Sequence, residues 1–425
     1  MPDMDIELKY GRAYRTVTFP DDVAIDVLRP SPLPPLADPA AALAAALDDP
    51  LETLPFASRP RPASVAIAVP DETRPTPLGL LLPPLLARLF AAWPDLAPRD
   101  VVVIMGGGLH PPASEADLAR LLPPAVVGDC RVTAHDARRS PMTFCGTTSR
   151  GTPVEVNAAY AAAALKIVVG QIDPHQFVGF TGGAKGVVVG CGSERTVRAN
   201  HSLMFAQGAQ VGVLADNPVR QDLHEAGRLA GVDFAVNVVL DPAKRVLGLW
   251  AGNPEAVVRA GAPLCDGLYG VPLAGGGGYD IVVASCGGYP KDICLYQAQK
   301  GLNLASLCAG EAGRILLLAA CPQGIGDETY EAYVRRFPTP QAQLEEFRAK
   351  GFRMGAHKAF LFSRTLTRHE VVVVSEMDEA TLARCHLQKG EPEETLARWL
   401  AAVGPGARVA VVPSANTTYF TAPGS

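Results

Sequence analysis

The nine cysteines in this 425-residue chain form no CxxC pair, and an odd number of them does not close into a complete set of intrachain disulfides. A disulfide framework of the kind that staples small secreted domains is excluded, and free thiols in a reducing cytoplasm are expected. No glycine fingerprint GxGxxG opens a helix after a strand, which leaves a dinucleotide fold without its usual phosphate loop. Gly186, rather than Ser or Thr, follows Lys185, so the phosphate loop of the P-loop ATPases is lacking too. Neither HExxH nor a cluster of cysteine ligands occurs, which gives a protein-only zinc site no support. Basic charge is also scarce: 38 Lys and Arg stand against 43 Asp and Glu, a net charge of −5 that offers no field for nucleic acid or an anionic membrane. The longest apolar stretch, 78–93, is interrupted by Pro83, Pro84 and Arg88, and the acidic residues 1–7 lack the basic-then-apolar order of an export signal. Neither membrane insertion nor export is expected.

What is present is a globular, loop-rich composition, with 48% hydrophobic residues, 41 glycines and 38 prolines that are mostly dispersed. The length suits two domains, each able to bury its own core. After a leader of short strands and a proline-rich connection, apolar strand-like runs at 65–69, 101–105, 132–134, 165–169 and 234–240 alternate with helical patterns at 78–92, 114–122, 193–207 and 254–268. The glycine run 275–278 reads as a hinge, and a second series follows, with strands at 279–285, 314–319 and 370–375 among helices near 296–307, 340–350, 356–365 and 392–403. The fold class expected is α/β, with two domains whose mostly parallel sheets are flanked by helices. The first domain would span 1–272 and the second 279–405, with the last segment, 406–425, either returning to the first or closing the second.

Four segments at the carboxyl ends of apolar strands carry the chemistry. Open α/β sheets place their ligands at such ends. Asp71-Glu72-Thr73-Arg74-Pro follows the 65–69 strand, and its arginine suits a two-pronged grip on a carboxylate or phosphate. Its plainer reading is a turn with a capping aspartate and a surface arginine. Gly106-Gly-Gly-Leu-His110-Pro-Pro holds a histidine on a loop stiffened by prolines, as an acid/base group requires, though a lone loop histidine is often only a surface residue. Asp173-Pro-His175 runs through Gly182-Gly-Ala-Lys185-Gly to a helix with Ser193 as its cap and Asn200-His201 further on. Gly287-Gly-Tyr-Pro-Lys-Asp292 precedes a helix on which Tyr296 and Lys300, four residues apart, share a face beside Gln297 if Asp292 caps it. Alone, that pair is as well explained by an amphipathic solvent boundary. Among the other histidines, His135, His224, His369 and His386 lack such framing and read as structural or solvent-facing.

Taken together, these segments resemble the lactate racemase family, whose members use a nickel-pincer nucleotide. The resemblance implies a pyridinium mononucleotide that holds nickel through sulfur and carbon, in some members joined covalently to Lys185. It implies His201 as the nickel ligand and His110 and His175 as paired acid/base residues. It also implies that Asp71, Glu72, Thr73, Arg74, Lys185, Gln297 and Lys300 bind the cofactor, and that Arg74, Tyr296 and Lys300 orient substrate. The implied activity is inversion of the C2 centre of a 2-hydroxy acid in an interdomain cleft, with cofactor-biosynthesis proteins as partners. The chain's tryptophans, Trp93, Trp250 and Trp399, lie outside the segment 355–362, where the family's lactate-specific members carry one near the substrate. Larger, aromatic or dicarboxylic 2-hydroxy acids are therefore compatible, and substrate selection is expected from Tyr296 and 357–362. The rival readings are an NAD-dependent 2-hydroxy acid dehydrogenase and a non-catalytic carrier of the nickel nucleotide.

Overall fold

The computed structural model describes residues 4–273, 278–351 and 355–421 and divides into two compact units, 32–268 and the pair of segments 1–31 and 269–425. In the unit 32–268 a six-stranded sheet runs Val246–Gly252, Phe234–Leu240, Leu165–Gln171, Val65–Pro70, Val101–Gly106, Arg131–Ala134. All neighbours are parallel except the edge strand Val246–Gly252. Central strands covered on both faces have no polar side to show, which is why Val65–Val69 and Val101–Met105 read as unbroken apolar runs. The chain builds outward from Val65–Pro70 to one side through Val101–Gly106, then returns to its other side with Leu165–Gln171. That reversal opens a crevice at the strands' carboxyl ends.

The helix Leu78–Ala92 packs Leu81, Leu82, Leu85 and Leu89 into the core of this unit, each contributing roughly 1.5–3 kcal/mol by leaving water. It covers the expected range 78–92 and runs through Pro83 and Pro84 without breaking, so its 15 residues rather than its prolines keep it short. Among the described residues no helix is long and apolar enough to cross a membrane. Among the elements that escaped the sequence reading are the helix Pro39–Asp48, the antiparallel hairpin Met142–Thr147 with Pro153–Asn157, the edge strand Val246–Gly252, and the helix Pro218–Leu229. The last carries a legible start, since Asn217 caps it and Pro218 takes the first turn, where a missing N–H costs nothing.

The other unit holds a six-stranded, all-parallel sheet in the order Gln388–Lys389, Glu370–Val374, Ala309–Leu318, Tyr279–Ser285, Val409–Val412, Ile25–Val27. The hairpin Met4–Tyr10 with Ala13–Phe19 lays Ile6, Leu8, Val17 and Phe19 on this sheet's core. Residues 4–31 therefore cluster with the second series of strands, not with 32–272 as expected. The reason is visible in the pairing of Ile25–Val27 with Val409–Val412 and in the Tyr279 hydroxyl donating to Asp26 at 2.7 Å. The segment 406–421, whose destination the sequence left open, closes this same sheet. Gly278 is described, but 275–277, the rest of the expected hinge, lies outside the described residues. All nine cysteines are unpaired thiols.

Candidate active site

The crevice is a cleft with about 620 Å³ of empty space, lined at its rim by Asp71, Thr73, Arg74 and His110 and deeper by Gln171, Lys185 and Asn237. The loop after Val101–Gly106 is made of glycine because backbone fills the room that side chains would need. A Cβ at Gly106 would lie 2.5 Å from the Gly190 carbonyl oxygen, and one at Gly107 2.5 Å from Asp71 Oδ2. With that space clear, Asp71 Oδ2 reaches His110 Nδ1 at 2.7 Å. Burial resists charge on Asp71, but hydrogen bonds from His110 and Thr73 outweigh it and hold the carboxyl below its ordinary range. The carboxylate in turn fixes the ring of His110, whose side chain is half exposed. Glu72 does not join them; it is exposed and paired with Arg120 at 2.5 Å.

Lys185 lines the same cleft, at the first residue of the short helix Lys185–Val188. The approach to it needs left-handed backbone at Gly179, Gly182 and Gly183, and the last donates its N–H to Asn237 Oδ1 at 2.7 Å. Asn237 is the one polar side chain in the buried run Phe234–Leu240, a signal the sequence held and the sequence reading passed over. Beneath the loop lies Arg220, fully buried, whose guanidinium donates to the carbonyls of Val178, Phe180, Thr181 and Gly182. Burial lowers its pKa well below the usual arginine range, and the carbonyl dipoles take the place of a carboxylate partner. Burial, together with the charges of Arg74 and Arg220, pushes the Lys185 ammonium down to about 7. Among the described residues neither Arg74 nor Lys185 forms an ion pair, so the cleft holds two cations in want of an anion.

His175 and His201 meet beside a different ring. Phe177 lies 4.6 Å from His175 and 5.1 Å from His201, edge-on to each, and the two histidine centroids are 6.5 Å apart. The tight hairpin Pro174–His175 with Gly179–Phe180 holds this group, closed by Thr181 donating to the Gln171 carbonyl at 2.8 Å. His201 rides the last turn of the helix Glu194–Ser202, which Ser193 caps as its sequence position suggests. These two histidines are not among the residues lining the cleft that holds His110 and Lys185. Among the described residues no group of three or more His, Cys, Asp or Glu side chains is arranged to hold a metal ion.

In the other unit Tyr296, Gln297 and Lys300 do lie on one helix, Leu295–Ala305. Cys294, not Asp292, occupies its cap position; the Asp292 carboxylate turns inward to accept from the Gly11 and Ala320 N–H groups, at 2.7 and 3.2 Å. Within the segment 357–362 it is Lys358 that meets Tyr296. It donates to the Tyr296 carbonyl at 2.6 Å and lies 4.1 Å from the centre of the Tyr296 ring. Burial and the neighbouring Lys300 lower its pKa to about 8, while burial raises the Tyr296 phenol above its usual range. Phe360, expected to meet substrate, is buried and stacks 5.6 Å from Phe347.

An α/β fold with a lysine-bearing glycine loop at a sheet's switch point and a carboxylate-held histidine in the same cleft is the frame into which the comparisons fall. A family model described as the lactate racemase N-terminal domain matches residues 10–212, and one described as the lactate racemase C-terminal domain matches 277–417. The lactate racemase of Lactiplantibacillus plantarum is 31% identical over 359 residues, 82% of this chain and 83% of that protein. The lactate racemase of Thermoanaerobacterium thermosaccharolyticum is 28% identical over 319 residues, covering 74% of each. The solved structure of the lactate racemase apoprotein from the same organism superposes with a TM-score of 0.88 at 25% identity, over 98% of this chain and all of that one. The chain belongs to the lactate racemase family. It is an isomerase of the racemase type.

Proposed function

We propose that the protein inverts the C2 centre of a 2-hydroxy acid with the help of a nickel-pincer nucleotide. The observation that carries this reading is the cleft itself, whose lining brings together Lys185, Arg74 and a histidine held by the Asp71 carboxylate. The cleft fits a flat anionic ligand. Among the described residues Arg74 and Lys185 form no ion pair with a carboxylate, and Gly106, Gly107, Gly182 and Gly183 line the cleft with them. A neutral amine at Lys185 is the form that attacks an activated thiocarboxyl group, which supports its role as the attachment point. His201 is the side chain assigned as the protein's nickel ligand, the remaining coordination coming from the nucleotide.

When bound, the group supplies a reversible hydride acceptor. The residues of the chain do the rest. Arg74 and Lys300 bind the substrate carboxylate, Tyr296 orients the substrate, and Asp71, Thr73 and Gln297 bind the cofactor. Glu72, occupied by Arg120, is the weakest member of that set. His110 and His175 move the hydroxyl proton, one removing it as C2 becomes planar and the other returning it when the opposite face is served. Asp71 keeps His110 in one tautomer, with Nδ1 toward the carboxylate and Nε2 toward the reacting oxygen. Proteins that build the cofactor would be partners in the cell.

Protein produced together with the cofactor pathway tests the reading by metal analysis, intact mass and chiral assay over lactate, malate and aromatic hydroxy acids. Stoichiometric nickel, and its loss on His201→Ala with the fold retained, is the expected result. His110→Ala and His175→Ala should each lower both directions of inversion, by roughly 10²–10⁴-fold. A variant that kept parental rates both ways, or protein that turned over without nickel, would overturn the scheme.

A further inference from the structure

Asn200, immediately before His201, is completely buried, and its amide has a fixed orientation. The Nδ2 atom faces two acceptors, the Val219 carbonyl at 3.2 Å and Asp222 Oδ2 at 2.8 Å. Turning the amide over would set its oxygen against both of them. The atom 3.2 Å from His201 Nδ1 is therefore Oδ1, which has only lone pairs to offer. The hydrogen of that bond must belong to the imidazole. A neutral ring protonated at Nδ1 keeps its donor pair on Nε2.

The orientation of Asn200 is imposed by Asp222. This carboxylate is fully buried, and among the described residues it forms no ion pair. Thr148 donates to its Oδ1 at 2.5 Å and Thr152 to its Oδ2 at 2.8 Å. Thr148 Oγ1 already accepts the Thr152 N–H at 3.0 Å, which leaves its single hydrogen for Asp222. Every group around Asp222 is thus a donor, and Asn200 has no alternative but to present nitrogen to it and oxygen to His201. The threonines come from the turn of the hairpin Met142–Thr147 with Pro153–Asn157, and Asp222 from the helix Pro218–Leu229, so three separate elements converge on one ring.

We propose that Asp222 and Asn200 are positioning residues that set the tautomer of His201 and so present its Nε2 to a metal. The proposal rests on the reading of His201 as the nickel ligand. A purely structural role would also tie the helices Glu194–Ser202 and Pro218–Leu229 together, but it would leave the ring's tautomer indifferent to these two residues.

Metal-free protein labelled with ¹⁵N-histidine tests this by two-bond proton–nitrogen correlation at a pH where the ring is neutral, His201 being assigned from the signal lost in His201→Gln. The parent should show a protonated Nδ1 and a bare Nε2. In Asp222→Asn one of the two obligate acceptors facing the Asn200 NH₂ is lost while the Val219 carbonyl remains, so the ring should move from a single tautomer toward a mixture with the Nε2–H form. Asn200→Ala should release it to a mixture, with circular dichroism confirming the fold. An Nε2–H ring in the parent, or an unchanged Nδ1–H ring in folded Asn200→Ala, overturns the proposal, and these two measurements decide it even if Asp222→Asn does not fold. Protein loaded with cofactor should lose roughly 10–100-fold in nickel affinity on Asp222→Asn. Should His201→Ala keep its nickel, the ligand reading fails while the tautomer result stands by itself.

Discussion

Asp71 Oδ2 lies 2.7 Å from His110 Nδ1, and the missing side chain of Gly107 is what lets the carboxylate stand there. Asp71→Asn keeps the shape but gives the ring a partner that can donate to Nδ1 as well as accept from it, so the ring's tautomer is no longer fixed. Turnover should fall by roughly 10–100-fold, the scale of losing a ring's outer hydrogen-bond partner, with substrate binding little changed. The sign of the pH effect follows from the depressed pKa. The interaction stabilises the fold above the ordinary carboxyl value of 3.8 and is lost as pH falls through the lower folded value. Melting curves from pH 7 downward should show the gap between parent and Asp71→Asn closing only in that acid range. A gap that closed well above the carboxyl range would mean that the contact with His110 does not stabilise the ionised form of Asp71.

Lys185 should be the most reactive amine in the chain near neutrality, because its ammonium is pushed down to about 7 while an ordinary lysine stays protonated to about 10.4. Its acylation rate, followed peptide by peptide by mass spectrometry in cofactor-free protein, should rise through about pH 7 and level off. Lys358 should level off near pH 8, and lysines without a lowered pKa should keep accelerating to far higher pH. The same shift predicts that the fold gains stability as pH rises from about 7 toward 10.5, where the unfolded chain still holds the proton and the folded one does not. Lys185→Met should abolish that slope. A labelling curve indistinguishable from those of surface lysines would remove the chemical basis for attachment at this residue.

The parallel strands and their carboxyl-end loops were legible because a buried parallel strand has to be apolar throughout, and Val65–Val69 and Val101–Met105 are. The glycine loops announced close approach, and the histidines on them announced themselves. Arg220 and Asp222 did not. Each is a buried polar residue whose purpose depends on a partner distant in sequence, and a single chain written out shows no such partner. Residues 4–31 were misassigned for a related reason, since strand pairing between Ile25–Val27 and Val409–Val412 spans nearly the whole chain. Phe360 was placed at the substrate from its segment alone. On a helix, residues 358 and 360 point different ways, and only packing tells which faces inward.

Arg220 holds the carbonyls of Val178, Phe180, Thr181 and Gly182, the strand of loop between His175 and Lys185. Arg220→Met fills much of the same space yet strands those oxygens away from water. An unsatisfied buried acceptor costs about 1–3 kcal/mol, so denaturant midpoints should shift by at least one such loss. The loop should also lose its rigidity before the domain unfolds. Hydrogen exchange at 178–186 should quicken by more than exchange in the strand Val65–Pro70, which Arg220 does not touch. Uniform acceleration across both would show that the residue acts on global stability alone.

Phe360 and Lys358 divide between packing and recognition, and their substitutions should separate accordingly. Phe360 is buried, with its ring 5.6 Å from Phe347, so Phe360→Ala opens a core cavity and should cost about 3–5 kcal/mol. Relative efficiencies among hydroxy acids should stay as they are in whatever fraction remains folded. Lys358 instead places its ammonium 4.1 Å from the Tyr296 ring centre, and the neighbouring charge of Lys300 helps lower its pKa to about 8. Two cations beside a tyrosine favour an anionic group beyond the hydroxyl carbon. Lys358→Met should therefore weaken malate against lactate by about 1–3 kcal/mol in relative kcat/KM, the span of one pocket contact. For the parent, preference for malate should decline as pH rises through about 8, where Lys358 loses its proton, because the charge that draws the second carboxylate is then gone. A ranking that Lys358→Met left untouched while Phe360→Ala reordered it would return specificity to the aromatic side chain and make the lysine a helix fastener.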